Sequence, residues 1–396
     1  MIAGNDVICF CNDWDGDPLS KKQIVTRLAV KNRVLWVNST GTRNPTVSAH
    51  DFKRAWKKIC DFCHGSRQVA TNIWLFCPLV IPFHGSRVAR WFNRRLLAWS
   101  LRRTLRRLAF HQPITLTFVP SSADVAGSLG ERLLVYYCVD EYSEFSGTDK
   151  VAILELERTL IEKSDVVIVS ADRLYETKRT YNANTFLLPH GVDVEHFRRA
   201  CMPETPIPED CRSLNGLVVG FFGLIADWVD LEVVRYLACA RPDWSLLLIG
   251  EVRTDVSMIE RLPNVKLLGR RPYQLLPGYC KKFDVAILPF KLNELTLAAN
   301  PLKLREYLAA GLPVIATPLP EVKKLGGLVL CAGAARDYLE QIESLQRAGR
   351  RGPDLSVSYQ MDAESWDGRV EAFSSIINAH CDASVHRRMK AARQVA

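Results

Sequence analysis

The sequence predicts an α/β protein built from two doubly wound domains. Short apolar runs alternate with segments of helical periodicity along the whole chain, a pattern typical of parallel sheets covered by helices. The chain has 396 residues, whereas a single hydrophobic core rarely grows beyond about 250–300 residues. A stretch rich in proline and without periodicity, residues 200–214, is therefore the predicted linker between two domains.

The first domain is assigned to residues 1–199, in which seven strands are predicted. Each strand is a short run rich in branched and aromatic side chains, and helical stretches at 21–29, 97–109 and 151–163 lie between them. The predicted strands are 7–11, 34–38, 73–77, 114–118, 133–138, 166–170 and 185–188.

The same alternation restarts after the linker and fills a second domain, residues 215–364. Pro301 suits the first position of a helix, and Gly311 suits the left-handed conformation that ends one. Residues 365–396 are predicted to form a C-terminal helix that crosses back to the first domain and ends in a basic tail. The predicted strands are 217–222, 245–249, 265–268, 284–289 and 313–317, and the helices are 230–240, 274–282 and 301–310.

Charge is distributed unevenly between the two halves. Hydrophobic residues make up 48% and charged residues 24%, which excludes disordered, collagen-like and coiled-coil classes. The formal net charge is +9, and residues 1–200 hold 28 basic against 20 acidic side chains. An anionic partner is expected for the first half: a phosphorylated substrate, an anionic membrane surface or a nucleic acid.

Cysteine content and hydropathy predict a cytoplasmic protein. Acidic residues follow the first apolar run closely, so no export signal is expected, and no apolar run approaches the about 20 residues of a membrane span. The 12 cysteines are therefore expected to be mostly free thiols.

The most informative stretch is residues 300–317. Ligands of open α/β sheets bind outside the carboxyl ends of the strands, so two such domains are expected to face a central cleft. Lys303 and Glu306 share one face at the start of a predicted helix, where backbone N–H groups favour an anion. Lys303 could meet a diphosphate and Glu306 a ribose, although the spacing alone favours a solvated Lys–Glu pair.

Residues 300–317 resemble the donor-site signature of GT-B fold glycosyltransferases of the retaining family-4 type. The resemblance is nearest to the bacterial exopolysaccharide and teichuronic-acid-type branch, and weaker motifs agree in order along the chain at 136–142, 187–193, 219–223, 241–250 and 264–273. It implies a hexosyltransferase that moves a sugar from a nucleotide-diphosphate sugar, of UDP or GDP type, to a lipid-linked or oligosaccharide acceptor. Retention of configuration, a role in cell-surface polysaccharide or glycolipid synthesis, and no resident cofactor are implied as well.

The resemblance also implies roles for individual residues. Glu306 would bind the ribose, and Arg271 and Tyr273 would border the base. The remaining donor-side positions are Asn300, Gly223 and the amides around Leu302 and Lys303. The acceptor side would include Asp15, Gly16 and Asp17.

Two departures from the family pattern bear on the chemistry. Ala298 stands where the family has a Glu that touches the donor sugar, and residues 224–230 lack the usual Arg and Lys. The leaving diphosphate still needs positive charge, which Lys303 is expected to supply, followed by Arg253 or Arg271.

A carboxylate could assist the transfer, although the implied front-face mechanism requires no protein nucleophile. Asp140 is the first candidate and Glu141 the second, with a surface turn after a strand as the alternative interpretation.

Metal binding is not expected. The D-x-D patterns at 13–15 and 15–17 could hold a divalent cation, but they follow the first strand rather than several strands. The C-x-x-C-H pattern at 60–64 is interpreted as a segment with two free thiols.

An Arg-rich segment gives the first half most of its basic excess. Residues 84–110 contain eight Arg and no acidic residue, and within 97–108 leucines and arginines occupy opposite faces of a helix. The Arg face is either solvated or rests on an anionic membrane surface, which would make the protein peripheral on the inner face of the cell membrane.

Two other functions stay open. The absent Glu permits a nucleotide-sugar 2-epimerase on the same architecture, and the basic half permits a non-catalytic anion- or membrane-binding module. Nucleic acid is not expected as a partner, since the aromatics do not alternate with basic residues as in a stacking platform.

Overall fold

The computed structural model describes residues 1–38, 62, 65–79 and 87–395. Its contacts divide the chain into two units. The first unit comprises Met1–Pro189 together with Arg369–Ala396, and the second comprises His190–Gly368.

The first unit is built on an eight-stranded sheet of order β3-β4-β2-β1-β5-β6-β7-β8. All neighbouring strands are parallel except β3, which pairs antiparallel with β4 at one edge. The seven predicted strands are present, whereas β3 was not predicted, because its side chains are mostly exposed and show no apolar pattern. The strands are β1 (Asp6–Phe10), β2 (Arg33–Val37), β3 (Arg67–Ala70), β4 (Ile73–Phe76), β5 (Ile114–Thr117), β6 (Leu133–Cys138), β7 (Val166–Val169) and β8 (Thr185–Leu187).

The helices described in the first half are α1 (Ser20–Leu28), α2 (Arg87–Arg107), α3 (Lys150–Lys163) and α4 (Asp172–Lys178). Helix α2 buries Leu97, Leu101 and Leu105, as the leucine spacing predicts. It begins ten residues before the predicted start. Asn93 continues the same buried face with a polar side chain, so the apolar periodicity did not reveal the first turns.

The second unit contains a six-stranded parallel sheet of order β11-β10-β9-β12-β13-β14. Its strands are β9 (Val218–Phe222), β10 (Ser245–Ile249), β11 (Val265–Leu267), β12 (Val285–Leu288), β13 (Val314–Ala316) and β14 (Val329–Cys331). Its helices are α5 (Val194–Arg198), α6 (Glu209–Arg212), α7 (Leu231–Ala240), α8 (Ser257–Glu260), α9 (Leu276–Lys282), α10 (Glu294–Leu297), α11 (Leu302–Ala309), α12 (Pro320–Lys323), α13 (Ala335–Arg347) and α14 (Leu355–Tyr359), and α15 (Trp366–Val395) follows.

Both sheets are doubly wound, which confirms the predicted α/β fold class. In each, the first strand lies in the middle and the chain proceeds outward first on one side and then on the other. The order reverses between β1 and β5 in the first unit and between β9 and β12 in the second. Crevices at such reversal points, outside the carboxyl ends of the strands, are the usual ligand sites of these folds.

The proline-rich stretch 200–214, expected as the linker, lies inside the second unit, and the contacts divide between Pro189 and His190. Three of its backbone carbonyls are held by a residue distant in sequence, because the Lys281 ammonium donates to the carbonyls of Met202, Pro203 and Thr205 at 2.6–2.9 Å. Proline content therefore marks a segment held against α9, and Cys211 within it is buried.

The C-terminal helix α15 belongs to the first unit from Arg369 onward. Phe373 stacks on Tyr137 of β6 with ring centroids 6.4 Å apart, and Glu371 forms an ion pair with the Met1 amino group. Among the described residues, no helix combines the length and apolar character that crossing a membrane requires.

Candidate functional site

Two glycines close the carboxyl ends of β9 and β10. Gly223 and Gly250 have φ of +144° and +152°, in the region that favours glycine. A Cβ on Gly250 would lie 1.7 Å from the Gly223 carbonyl oxygen, so the two backbones approach each other more closely than any side chain permits. The Gly223 N–H donates to the Ile249 carbonyl at 2.8 Å, which fixes this turn.

Lys303 reaches this glycine turn from the start of α11. A Cβ on Gly223 would lie 2.8 Å from the Lys303 Cε, so the lysine stem occupies the space that a side chain at 223 would need. Pro301 directly precedes the helix rather than forming its first position, and Leu302 and Lys303 are its first two residues. Gly223, the first α11 amides and one ammonium are thus brought together.

Tyr307 ties α11 to β9, and sequence reasoning missed it. Its buried hydroxyl accepts from the Phe222 N–H at 2.8 Å and donates to the Phe222 carbonyl at 3.2 Å. The two rings also meet edge to face at 4.7 Å. Helical spacing was the available signal, because Tyr307 lies one turn after Lys303 on the same face of α11.

Glu306 and Asn300 are both buried. Glu306 is 7% exposed, so the solvated Lys–Glu pair that the spacing alone favours is not what the structure shows. The side-chain Oδ1 of Asn300 accepts from the Arg305 guanidinium at 2.6 Å, and Arg305 also pairs with Glu364 at 3.1 Å. Arg305 therefore anchors the residue that introduces α11.

Arg271 and Arg253, the other candidate cations, are engaged in ion pairs. Arg271 pairs with Asp210 at 2.9 Å, and this hydrogen bond raises the pKa of the guanidinium. Arg253 pairs with Glu251 at 2.8 Å. Lys303 forms no ion pair within the described part of the chain, which makes it the cation available to an anion at the glycine turn.

Tyr273 contacts a different partner from Arg271, although both were expected to border the base. Its ring stacks on His196 of α5, with centroids 4.3 Å apart and an interplanar angle of 9°. Its backbone carbonyl is also 3.1 Å from His196 Nε2. Burial lowers the pKa of His196, so the ring is neutral at pH 7.

In the first unit, Glu141 lies inside a buried network. The Lys178 ammonium bridges Glu141 at 2.9 Å and Glu157 at 2.8 Å, and the Tyr136 hydroxyl donates to Glu157 at 2.6 Å. Burial opposes the lysine charge, but attraction by the Glu157 and Glu141 carboxylates outweighs it and raises the pKa of Lys178. The Glu141 carboxylate is thus engaged in a structural ion pair.

The acceptor-side candidates Asp15, Gly16 and Asp17 lie in the exposed loop between β1 and α1. The Gly16 N–H donates to the Asp13 carbonyl at 3.1 Å, which gives the loop a turn. Trp14 anchors it by meeting Trp36 edge to face at 5.0 Å. These residues and Asp140 follow β1 and β6, so both groups lie at the carboxyl edge of one sheet.

Within the described residues, no group of three or more His, Cys, Asp or Glu side chains is arranged to hold a metal ion. Of the C-x-x-C-H segment 60–64, only Phe62 lies among the described residues.

Comparisons with known proteins agree with this architecture. Residues 218–347 match the family model for glycosyl transferases group 1. The chain is similar to the putative teichuronic acid biosynthesis glycosyltransferase TuaH of Bacillus subtilis (strain 168), with 33% identity over 181 residues. That match spans 44% of this chain and 45% of the relative, less than half the length of either.

Solved structures match the whole chain in fold. Sucrose-phosphate synthase from Thermosynechococcus elongatus superposes with a TM-score of 0.62 at 16% identity, covering 98% of this chain and 100% of that one. Anabaena Alr3699/HepE in complex with UDP and glucose gives 0.64 at 13% identity, covering 94% and 99%. An Escherichia coli trehalose-6-phosphate structure bound with UDP-2-fluoro glucose gives 0.63 at 11% identity, covering 94% and 98%.

The matched region and the glycine turn coincide. Residues 218–347 contain Gly223, Gly250, Lys303 and Glu306. The chain therefore has the GT-B fold, and residues 218–347 of its second unit match the glycosyl transferases group 1 family model.

Proposed function

We propose that the protein is a glycosyltransferase that moves a sugar from a nucleoside-diphosphate sugar to a lipid-linked or oligosaccharide acceptor. The observation that carries the proposal is the contact between Gly223 and Lys303 at the start of α11, inside the matched family domain. A turn without a side chain, first-turn N–H groups and an unpaired ammonium form a setting suited to a diphosphate.

The proposed chemistry assigns each donor-side group a task. Lys303 and the α11 amides stabilise the negative charge that develops on the leaving diphosphate. Glu306 accepts hydrogen bonds from the ribose hydroxyls, as a carboxylate does in dinucleotide sites. The transfer proceeds with retention, without a resident metal, and Asp140 is the proposed assisting carboxylate on the acceptor side.

The acceptor is proposed to be presented at an anionic membrane surface, in cell-surface polysaccharide or glycolipid synthesis. The similarity to a teichuronic acid glycosyltransferase supports this class of product. Helix α2 supports the location, because Trp91 and Trp99 are 56% and 55% exposed on the face that carries its arginines. Arg95 and Arg103 lie over these two rings at 4.7 and 6.0 Å, an arrangement suited to the lipid headgroup region.

Donor binding is tested by thermal unfolding with UDP, GDP and a panel of nucleotide sugars. A ligand at a hundred times its Kd stabilises the folded chain by about 2.7 kcal/mol. The matching nucleotide is expected to raise Tm, and Glu306→Gln to abolish the rise. Glu340→Gln, on the exposed face of α13, is the matched control and keeps the full shift. If no nucleotide raises Tm, the donor site is refuted.

Transfer is tested by incubating the labelled nucleotide sugar with bacterial lipid extract or with oligosaccharides. We expect label in the acceptor fraction. Label that stays in an epimerised nucleotide sugar, without acceptor, would instead identify the 2-epimerase.

Membrane docking is tested by sedimentation with phosphatidylglycerol-containing vesicles. Trp91→Ala/Trp99→Ala is expected to reduce binding, and the matched control Tyr359→Ala, an exposed aromatic of the second unit, is expected to leave it unchanged. Equal binding to neutral vesicles would contradict the electrostatic part of the proposal.

A further inference from the structure

Lys21 is a buried lysine at the carboxyl edge of the first sheet that none of the roles above uses. It is the second residue of α1, directly after the loop that carries Asp15 and Asp17, and is 7% exposed. Its ammonium donates to the Tyr142 hydroxyl at 2.8 Å and to the Asn12 side-chain oxygen at 3.2 Å. Burying an ammonium is costly unless it is paired, so this position needs a physical reason.

The charges around Lys21 supply that reason. Burial lowers the pKa of Lys21, and the negative charge of Asp140 is the strongest influence that opposes this. The thiols of Cys9, Cys11 and Cys138 also face it, and burial raises the pKa of Cys9 and Cys138, which keeps both neutral. The hydrogen bonds to Asn12 and Tyr142 therefore hold the ammonium in place, and the negative charge of Asp140 favours its protonated form.

The two neighbouring carboxylates are assigned to different lysines. Glu141 is held by Lys178, and its second oxygen accepts from the Ser143 hydroxyl at 3.0 Å. The charge of Asp140 instead acts on Lys21, whose hydrogen-bond partners lie in the loop after β1 and in the segment after β6. Lys21 thus links the two segments that hold the acceptor-side candidates.

We propose that Lys21 is a positioning residue for the acceptor side, which ties the loop after β1 to the segment after β6 that carries Asp140. The inference rests on the proposed transferase function and adds to it a residue outside the motifs that resemble the family. Asp140 then accepts a hydrogen bond from the attacking acceptor hydroxyl, and its position depends on the buried ammonium.

The test uses the full chain, the nucleotide sugar that raises Tm, and lipid extract as acceptor. Lys21→Met is expected to lower kcat for transfer by about 10²-fold, because a small displacement of a reacting group costs this much. The KM for the donor and the Tm shift with UDP stay unchanged, since the donor candidates lie in the other unit. Lys163→Met, the same change at the end of α3, is the control and retains wild-type kcat.

A double-mutant cycle separates positioning from a general effect on folding. If Lys21 acts through Asp140, Lys21→Met/Asp140→Asn loses no more activity than the more damaged single variant. Two losses that multiply would overturn the proposal, as would a Lys21→Met kcat within threefold of wild type.

A charge-retaining variant covers the case in which Lys21→Met does not fold. Lys21→Arg is expected to transfer faster than Lys21→Gln, and the reverse order would contradict a role for the charge. A wild-type chain that neither binds any nucleotide of the panel nor transfers sugar would refute the proposed function itself. A chain that binds and transfers, but whose activity does not depend on Lys21, would refute only this inference.

Discussion

The two sheets of this protein are both doubly wound, but their carboxyl edges carry different groups. In the first unit, charged side chains are buried there, with Lys21 hydrogen-bonded to Tyr142 and Lys178 between two glutamates. In the second unit, the edge is formed by glycine backbone and a helix start, with Lys303 lying over Gly223. The first edge therefore depends on matched charges, whereas the second depends on the absence of side chains.

The largest loss of stability is expected when a side chain is added at the carboxyl edge of the second sheet. Gly250→Ala would place a Cβ 1.7 Å from the Gly223 carbonyl oxygen, and we expect the second unit to lose more than about 5 kcal/mol or to fail to fold. Gly269→Ala is the control: φ is +68° and no atom lies within 4 Å of the added Cβ, so only the left-handed backbone costs about 1–2 kcal/mol. Urea unfolding measures both, and equal losses would contradict the importance of close backbone approach.

The first unit should lose stability when a charge at its carboxyl edge is left without its partner. Lys178→Met leaves Glu157 and Glu141 buried without their counter-charge, which typically costs about 3–5 kcal/mol. Adding Glu157→Gln is expected to recover part of that loss, because one uncompensated charge is removed. Urea unfolding of both variants measures the effect, and a double variant less stable than Lys178→Met would show that the network does not act through charge.

A smaller effect is expected at the link between α11 and β9. Tyr307→Phe leaves the buried Phe222 N–H without its acceptor, at a cost of about 1–3 kcal/mol, and should also weaken the Tm shift with UDP. Tyr338→Phe is the matched control, since that hydroxyl donates to the Leu288 carbonyl in the same unit. It is expected to lose stability but keep the UDP shift. Loss of the shift in both variants would mean that Tyr307 has no special connection to the donor site.

The smallest effect is a pH dependence at His196. Because burial lowers its pKa below 6.5, the unfolded chain binds the proton more readily, and stability falls as pH falls below 6.5. The contribution is less than about 1.4 kcal/mol per pH unit. Between pH 7.5 and 5.5, wild-type Tm should therefore drop further than that of His196→Phe, which keeps an aromatic ring over Tyr273. An equal drop would show that His196 is not the responsible group.

Much of the fold could be predicted from local pattern. Strands such as β6 and β12 are continuous apolar runs, and Gly311 takes the left-handed conformation, at +75°, that its place after a helix suggested. The exposed edge strand β3 was missed because it has no apolar alternation. The proline-rich stretch was expected to be a linker because nothing local reveals that Lys281 satisfies its carbonyls.

The candidate site was predictable only where its residues are close in sequence. Lys303 and Glu306 share one helix, so their proximity follows from helical spacing. Their proximity to Gly223 does not, because it depends on how α11 packs on β9. Arg271 and Glu141 carry suitable chemistry in the sequence, yet Asp210 and Lys178 occupy them in the folded chain.

The sequence by itself determined the α/β class, the order of elements, the basic first half and the segment that introduces α11, since each of these follows from periodicity and composition. Only the tertiary structure decided which charges are free. The partners of a charged group depend on distances between residues far apart in the chain, as in the hydrogen bond between Lys21 and Tyr142 or the ion pair between Lys178 and Glu141. Burial makes these contacts strong, because a charge removed from water must find its partner inside the protein.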